Sequence, residues 1–146
     1  MNFFSAMEIT ASGLGAQRTR MNTLASNLAN ARTTQRADGQ GPYRRLDPVF
    51  RAVPIGTRFE DLRGEASAQR AFVVEVPEIR EDEGPPQQIY EPSHPDADEN
   101  GYVQLPNVNV VEEMVNMITA SRAYESGASV MQTIKSMARS AIDIAG

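Results

Sequence analysis

One stretch without proline decides the fold, residues 107–145: NVNVVEEMVNMITASRAYESGASVMQTIKSMARSAIDIA. Apolar and aromatic side chains recur in it every three, four or seven residues: Val110, Met114, Met117, Tyr124 and Met131. This spacing places them on one face of an α-helix. At 1.5 Å per residue, a single helix over the stretch would be about 55–60 Å long.

The sequence also indicates where this helix begins. Asn107 or Asn109 is a suitable N-cap, and Glu112 and Glu113 would then lie in the positively polarised first turn. Most helices of globular proteins are much shorter than this one. We therefore expect it to need packing partners along its length.

A second amphipathic helix is predicted near the other end, over residues 3–31: FFSAMEITASGLGAQRTRMNTLASNLANA. Its stripe repeats every seven residues, with small residues between: Met7, Ala11, Leu14, Met21, Ala25 and Leu28. Ser5 and Glu8 fit a capping box at its start. Two such helices are typical of coiled-coil-like proteins that assemble with copies of themselves or with close relatives.

The centre of the chain is built differently, because all nine prolines lie between Pro42 and Pro106. Apolar, β-branched segments between turn residues predict strands at 48–55, 71–76, 88–90 and 102–105. The charged, proline-containing segment 80–86 predicts a solvated turn. Such short strands would not form a stable unit without the helices.

These elements predict an α+β fold whose long terminal helices pack as a coiled-coil-like hairpin around a small β-rich insert. The expected segments are an N-terminal helix over 1–34, a central loop and β-rich insert over 35–106, and a C-terminal helix over 107–146. Residues 55–88 contain no motif that predicts their shape.

Charge is divided unevenly along the chain. Residues 1–51 contain seven Arg against three acidic residues, whereas residues 52–106 contain four Arg against twelve. An acidic centre and a net charge of -5 argue against nucleic acid, since phosphates require a basic surface. The basic first third suits an acidic neighbour in an oligomer, or else forms a solvated Arg-rich loop.

Several classes of site are excluded by composition. The chain has no cysteine, so it forms no disulfide, thiolate metal site or cysteine nucleophile. No apolar run approaches the roughly 18–20 residues of a membrane span. The first basic residue is Arg18, so the N-terminus lacks the positive region of a cleavable secretory signal. We expect a protein that stays inside the cell or is exported uncleaved.

No residue pattern points to catalysis. The single histidine, His94, lies between Ser93 and Pro95 in a predicted turn, without an oriented partner. Glu112 and Glu113 are adjacent on a helix and so face different directions. We expect no enzymatic activity, no catalytic residue and no cofactor.

The segment Asp96-Ala97-Asp98-Glu99-Asn100-Gly101 matches the opening of a calcium-binding loop. The twelfth position, which needs a bidentate Glu, is Asn107, and Pro92 and Pro95 prevent a helix before the loop. An Asx-type turn without metal is the favoured interpretation. A small calcium-binding adaptor module remains an alternative.

Three colinear blocks resemble the flagellar rod and hook axial protein family, and the central one resembles its proximal-rod members. They are ASGLGAQRTRMN with ASNLANA (11–31), GPYRR (41–45) with HPDAD (94–98), GYV (101–103) and PNVN (106–109), and EEMVNMI with ASRAYE (112–125). The similarity covers nearly all of the chain outside residues 55–88.

This resemblance implies a structural subunit of the bacterial flagellar basal-body rod that transmits torque from motor to hook. Members of the family are exported unprocessed through the flagellar type III apparatus and assemble helically in the rod that crosses the periplasm. The implied partners are further copies of the chain, the rod proteins FlgB, FlgF and FlgG, the rod-base protein FliE and the MS ring. A sister rod protein of the same family is the nearest alternative.

The resemblance also implies which residues form assembly interfaces. On the N-terminal helix they are Met7, Ala11, Leu14, Arg18, Met21, Asn22, Ala25, Asn27, Leu28 and Asn30. The central family motif comprises Gly41, Pro42, Tyr43, Arg44, Arg45, His94, Pro95, Asp96, Asp98, Gly101 and Tyr102. On the C-terminal side they are Pro106, Asn107, Val108, Asn109, Met114, Met117, Arg122, Tyr124, Glu125 and Met131.

Asparagine is frequent among these residues and has two interpretations. Hydrogen bonds from Asn22, Asn27, Asn30, Asn107 and Asn109 would fix register, or the same residues would be caps and exposed polar positions. Because neighbouring subunits would complete the apolar stripes, we expect the helices to be partly disordered in the free monomer.

Overall fold

The computed structural model describes residues 3–55 and 71–145. Within them, two long helices, α1 (Phe3–Ala29) and α2 (Val110–Ala145), flank the strands in sequence. The strands are β1 (Leu46–Pro54), β2 (Phe72–Glu81), β3 (Gln87–Tyr90) and β4 (Tyr102–Leu105). The predicted α+β class, with long terminal helices and a small β-rich centre, is confirmed. Residues 56–70 of the predicted insert lie outside the described residues.

Helix α2 is 36 residues long and begins with a side-chain cap. The Asn109 Oδ1 atom accepts hydrogen bonds from the Val111 and Glu112 backbone N–H groups, at 3.1 and 3.3 Å. The Asn109 carbonyl accepts the first helical bond, from the Glu113 N–H at 2.9 Å. Asn109 is therefore the N-cap, and the prediction that the helix starts here is confirmed.

Helix α1 spans 27 residues and starts earlier than its predicted cap. Because the helix already begins at Phe3, Ser5 lies inside its first turn, and the predicted capping box of Ser5 and Glu8 is wrong. At the other end the Asn30 Nδ2 group donates to the Ser26 carbonyl at 2.9 Å. The same carbonyl also accepts the Asn30 backbone N–H at 3.1 Å, so the side chain adds a second bond to the last turn of the helix.

The strands form two separate pairs. β1 pairs with β2, and β3 pairs antiparallel with β4 in a register that sets Ile89 opposite Val103 and Tyr90 opposite Tyr102. All four predicted strands are present: β4 has the predicted ends, and β1, β2 and β3 have shifted ends. β2 continues to Glu81, so the predicted turn over 80–86 is wrong at its first two residues. The Asp82 N–H extends this pairing by donating to the Arg45 carbonyl at 2.7 Å.

The chain divides into two compact units. The first consists of residues 1–19, 49–77 and 120–146, of which residues 3–19, 49–55, 71–77 and 120–145 are described. Among these described residues, the buried side chains are the small ones of Ala16 and Ala120. Here α1 and α2 approach closely, because a Cβ atom at Gly127 would lie 3.0 Å from the Leu14 Cδ2 atom.

The second unit consists of residues 20–48 and 78–119. Its apolar core contains Leu24, Val103, Pro106 and Val108. It also buries three polar side chains, Thr23, Asn27 and Glu113. Helices α1 and α2 contact each other in this unit too, and these contacts are polar.

Candidate functional site

A buried polar cluster joins three distant parts of the sequence in the second unit. We call it the polar joint and define it as Asn27 of α1, Tyr43 and Arg45 before β1, and Asn107 and Glu113 around the start of α2. The Asn27 side chain is 0% exposed and the Glu113 side chain 1%. Such burial of an amide and a carboxylate is tolerated only where hydrogen bonds replace water.

Asn27 makes four side-chain hydrogen bonds. Its amide nitrogen donates to the Leu46 carbonyl at 2.8 Å and to the Glu113 Oε2 atom at 2.9 Å. Its amide oxygen accepts from the Leu46 N–H at 2.8 Å and from the Tyr43 hydroxyl at 2.9 Å. Two donor and two acceptor positions are all that an amide offers, so Asn27 is fully satisfied. Neither Asp nor Leu can reproduce this pattern.

Glu113 forms the second centre of the polar joint. Its Oε1 atom accepts from the Arg45 Nε group at 2.7 Å, while its Oε2 atom accepts from Asn27. The Arg45 backbone N–H donates to the Asn107 Oδ1 atom at 3.1 Å. Arg45 thus binds α2 by its side chain and the segment before α2 by its backbone.

The charge of Arg45 is maintained by this environment. Burial opposes the charged form, but the hydrogen bond and the attraction of Glu113 outweigh burial and raise the pKa of Arg45 above its ordinary value. The Arg45 guanidinium is therefore charged over the whole range in which proteins fold. A buried ion pair of this kind selects one arrangement of the chain more than it adds net stability.

The predicted central motif GPYRR supplies two members of the polar joint through a tight loop. Gly39 and Gly41 have φ of 73° and 88°, which favours glycine. The Gly41 and Pro42 carbonyls accept hydrogen bonds from the Arg36 backbone N–H and Nε groups, at 2.9 and 3.1 Å. The loop turns Tyr43 and Arg45 toward Asn27 and Glu113, whereas Arg44 is exposed.

The second half of the central motif is a turn. The Asp98 Oδ1 atom accepts from the backbone N–H groups of Asn100 and Tyr102, at 2.9 and 2.8 Å, and Gly101 has φ of 81°. The predicted Asx-type turn is confirmed. The other motif residues lie around it: the Asp96 Oδ2 atom accepts from the Thr34 hydroxyl at 2.7 Å, and the His94 Nδ1 atom accepts from the Asp96 N–H at 3.1 Å.

The last two residues of the central motif are Tyr102 and Pro95. Tyr102 packs edge to face on Tyr90, with ring centroids 5.3 Å apart, and Pro95 is exposed.

Across residues 3–55 and 71–145, the structure contains no cluster of three His, Asp or Glu side chains that could hold a metal ion. In the same ranges, neither helix combines the length and apolar character of a membrane span.

The predicted N-terminal interface residues lie on two faces of α1. The stripe of Met7, Leu14, Met21 and Leu28 is half-buried, and so is Asn30. Arg18 and the small or polar residues around it are exposed: Ala11, Asn22 and Ala25. The face buried against the rest of the chain instead contains Ala16, Thr23, Leu24 and Asn27.

The predicted C-terminal interface residues divide in the same way. Exposed residues are Met114, Arg122, Tyr124 and Glu125, while Met117 and Met131 are half-buried. Pro106 and Val108 are buried next to the polar joint. The inward face of α2 was not predicted. It consists of Glu113, Ala120 and Gly127, which are spaced by seven residues. That spacing was a usable signal, although none of its members is strongly apolar.

Both interpretations of the asparagines hold, at different residues. Asn27 and Asn107 link separate segments by hydrogen bonds. Asn109 is a helix cap, Asn30 bonds locally to Ser26, and Asn22 is exposed.

Comparison with known proteins identifies the family. The model described as "Flagella basal body rod protein" matches residues 7–35, and the model described as "Flagellar basal body rod FlgEFG protein C-terminal" matches residues 99–144. The flagellar basal-body rod protein FlgC of Borreliella burgdorferi is 42% identical, over 99% of this chain and 98% of its own length. The chain belongs to the FlgC family of flagellar basal-body rod proteins.

Other FlgC proteins match over similar lengths. That of Aquifex aeolicus is 47% identical over 92% of this chain and 91% of its own length. That of Salmonella typhimurium is 42% identical over 94% and 93%, respectively. The FlgC similarity therefore extends through the centre, where neither family model matches, and includes the segment that carries Tyr43 and Arg45. The resemblance to the flagellar rod family is confirmed, and the protein is a component of the flagellar basal body.

Proposed function

We propose that the protein is a non-enzymatic structural subunit that builds the rod through the exposed faces of its two terminal helices. In this role it assembles helically and transmits torque from the motor to the hook. Membership of the FlgC family supports the rod as its location. The exposed apolar side chains of the helices support the proposal independently of that membership.

The exposed apolar side chains of the helices are the observation that carries this proposal. Phe4 is 77% exposed, Met137 67% and Ile144 86%, although α1 and α2 already contact each other. Large apolar side chains that remain exposed along a helix mark surfaces that another protein covers. We therefore assign the assembly interface to these side chains together with the exposed members of the predicted set, including Ala11, Ala25 and Met114.

The proposed partners are those of a rod subunit. They are further copies of the chain, the rod proteins FlgB, FlgF and FlgG, the rod-base protein FliE and the MS ring. We also propose export through the flagellar type III apparatus with the N-terminus uncleaved. The division into two rod helices (1–34 and 107–146) and a central insert (35–106) is the segmentation that this assembly would use.

The polar joint supports the mechanical part of the proposal. It attaches the loop before β1 to both α1 and α2 by directional hydrogen bonds, at Asn27 and Glu113. A load on one helix therefore reaches the other helix and the central segment without relying on sliding apolar contacts. Such fixed register is what a subunit needs if it transmits torque.

The test is complementation of a flagellated bacterium that lacks its own copy of this subunit. Met137→Asp places a charge in the exposed apolar face of α2, and Gln132→Asp places the same charge at an exposed polar position of the same helix. We expect Gln132→Asp to restore swimming and to be found in purified basal bodies. Met137→Asp should be expressed but absent from basal bodies. Equal incorporation of both variants would contradict the proposed interface.

A further inference from the structure

The first half of α2 carries an apolar face that nothing in the described structure covers. Four side chains at helical spacing form it, Val111, Met114, Val115 and Ile118, each between 53% and 70% exposed. We call it the α2 outer stripe. At 100° per residue it lies on the side of α2 opposite Glu113, which points into the polar joint.

The second half of α1 exposes a face of the opposite character. Asn22, Ala25 and Ala29 are exposed, are spaced by three and four residues, and lie opposite the buried Asn27. We call this the α1 small face. Short side chains let a neighbouring helix approach closely, so the larger side chains of an outer stripe can pack onto it.

The charges beside the two faces are complementary. Between residues 17 and 37 α1 and its continuation contain four Arg and no acidic residue. Arg32 lies in the turn that follows the end of the α1 small face and is exposed, and Glu112 borders the α2 outer stripe and is exposed. Within the described residues neither side chain has an ion-pair partner. Placing Glu112 near the basic end of α1 is favourable, whereas packing two α2 outer stripes in parallel would bring their Glu112 side chains together.

We propose that the α2 outer stripe of one copy packs on the α1 small face of a second copy of this chain. The contact uses a different surface on each copy. A row of bound copies therefore has an uncovered α2 outer stripe at one end and an uncovered α1 small face at the other. Contacts of this type build rings or open helices rather than closed dimers. The inference rests on the proposed function, which it deepens by naming the two faces that meet.

The polar joint makes this geometry reproducible. Asn27 and Glu113, which lie on the sides of α1 and α2 opposite the two exposed faces, are hydrogen-bonded to each other at 2.9 Å. The orientation of the α2 outer stripe relative to the α1 small face is therefore the same in every copy. A contact that repeats from subunit to subunit requires this fixed orientation.

Cross-linking tests the proposal cleanly because the natural chain has no cysteine. Two differently tagged copies, one Ala25→Cys and one Val115→Cys, are expressed together in the strain that lacks its own subunit, and basal bodies are isolated and oxidised. Gln88→Cys, at an exposed position of β3, replaces Val115→Cys in the matched control. Motility and incorporation of each variant report on the proposed function separately from the cross-link.

We expect a disulfide-linked dimer carrying both tags, at least about tenfold more abundant than either same-tag dimer, and no dimer with the control. Incorporated, motile variants without the mixed dimer would overturn the inference and leave the rod function intact. Predominant dimers of Val115→Cys with itself would overturn it in favour of a symmetric contact. A photo-crosslinking residue at position 115 that captures a different rod protein, and no second copy, would overturn it as well. Absence of the wild-type chain from basal bodies would instead refute the proposed function.

Discussion

The two units of the molecule hold the same pair of helices by different means. In the second unit, the contact between α1 and α2 is polar and directional, through Asn27 and Glu113 at 2.9 Å and through Arg20 and Asn116 at 3.5 Å. In the first unit, it is made by small apolar residues, with Leu14 lying over Gly127. Polar bonds fix one register, whereas small apolar contacts permit several.

Both units leave apolar side chains of the helices exposed, but they differ in what they bury. Among its described residues the first unit buries only Ala16 and Ala120, and it leaves Phe4, Met137 and Ile144 largely exposed. A helix that buries so little within its own chain gains most of its stability from tertiary packing that a neighbour must provide. We infer that the second unit is organised in the free subunit, and that the helical ends in the first unit are completed on assembly.

The largest loss of stability in the second unit should follow from removal of the Glu113 carboxylate of the polar joint. Glu113→Ala leaves the buried Asn27 amide and the partly exposed Arg45 guanidinium without their partner. Because Arg45 keeps some contact with solvent, we expect a loss of about 3 kcal/mol, the lower end of the cost of breaking a buried ion pair. Denaturant unfolding of the purified subunit should show this loss. Glu112→Ala, which removes the adjacent exposed carboxylate, should cost less than about 1 kcal/mol. Similar losses in both variants would show that the polar joint does not organise the second unit.

A smaller effect is expected from crowding the apolar contact of the first unit. Gly127→Leu inserts a side chain where a Cβ atom alone would already be 3.0 Å from Leu14. Overpacking of this kind costs about 1–3 kcal/mol. Gly15→Leu is the control, because nothing lies within 4 Å of a Cβ atom at Gly15. Because the helical ends of the first unit pack fully only on assembly, most of this loss should appear as reduced incorporation into basal bodies. Loss of the full amount in the free subunit would show that these ends are already packed there.

The smallest effect should come from a single hydroxyl of the polar joint. Tyr43→Phe removes the hydrogen bond to the Asn27 Oδ1 atom and the longer 3.3 Å bond with the Ser26 hydroxyl, and leaves the other three bonds of Asn27 in place. A loss of about 0.5–1.5 kcal/mol is expected, as for one ordinary hydrogen bond. Thermal unfolding followed by circular dichroism measures it. No change in midpoint would mean that Tyr43 contributes only packing.

The helices were predictable because their signals are local. Proline-free periodicity located both of them, and Asn109 was predictable as a cap because it directly precedes the periodic segment. The Asp98 turn was predictable for the same reason, since its bonds reach only to Asn100 and Tyr102. The Ser5 cap failed because a cap depends on where the helix starts, and α1 starts at Phe3.

The polar joint could not be predicted from such local signals. Glu113 resembles an ordinary acidic residue of a first helical turn, and its burial depends on Arg45, which is 68 residues away in sequence. Apart from Asn27, the inward face of α1 was also missed, because the seven-residue repeat favours Met7, Met21 and Leu28. The buried residues are Ala16, Thr23, Leu24 and Asn27. Small and polar residues show their role only when the partner surface is known.

Hydrogen exchange of the free subunit shows whether the second unit is organised before assembly while the helical ends are not. We expect slow amide exchange for α1 residues 20–29 and α2 residues 113–119, and fast exchange for residues 3–12 and 132–145, which become protected in isolated basal bodies. Uniform protection along both helices in the free subunit, lost in one cooperative step, would contradict this expectation.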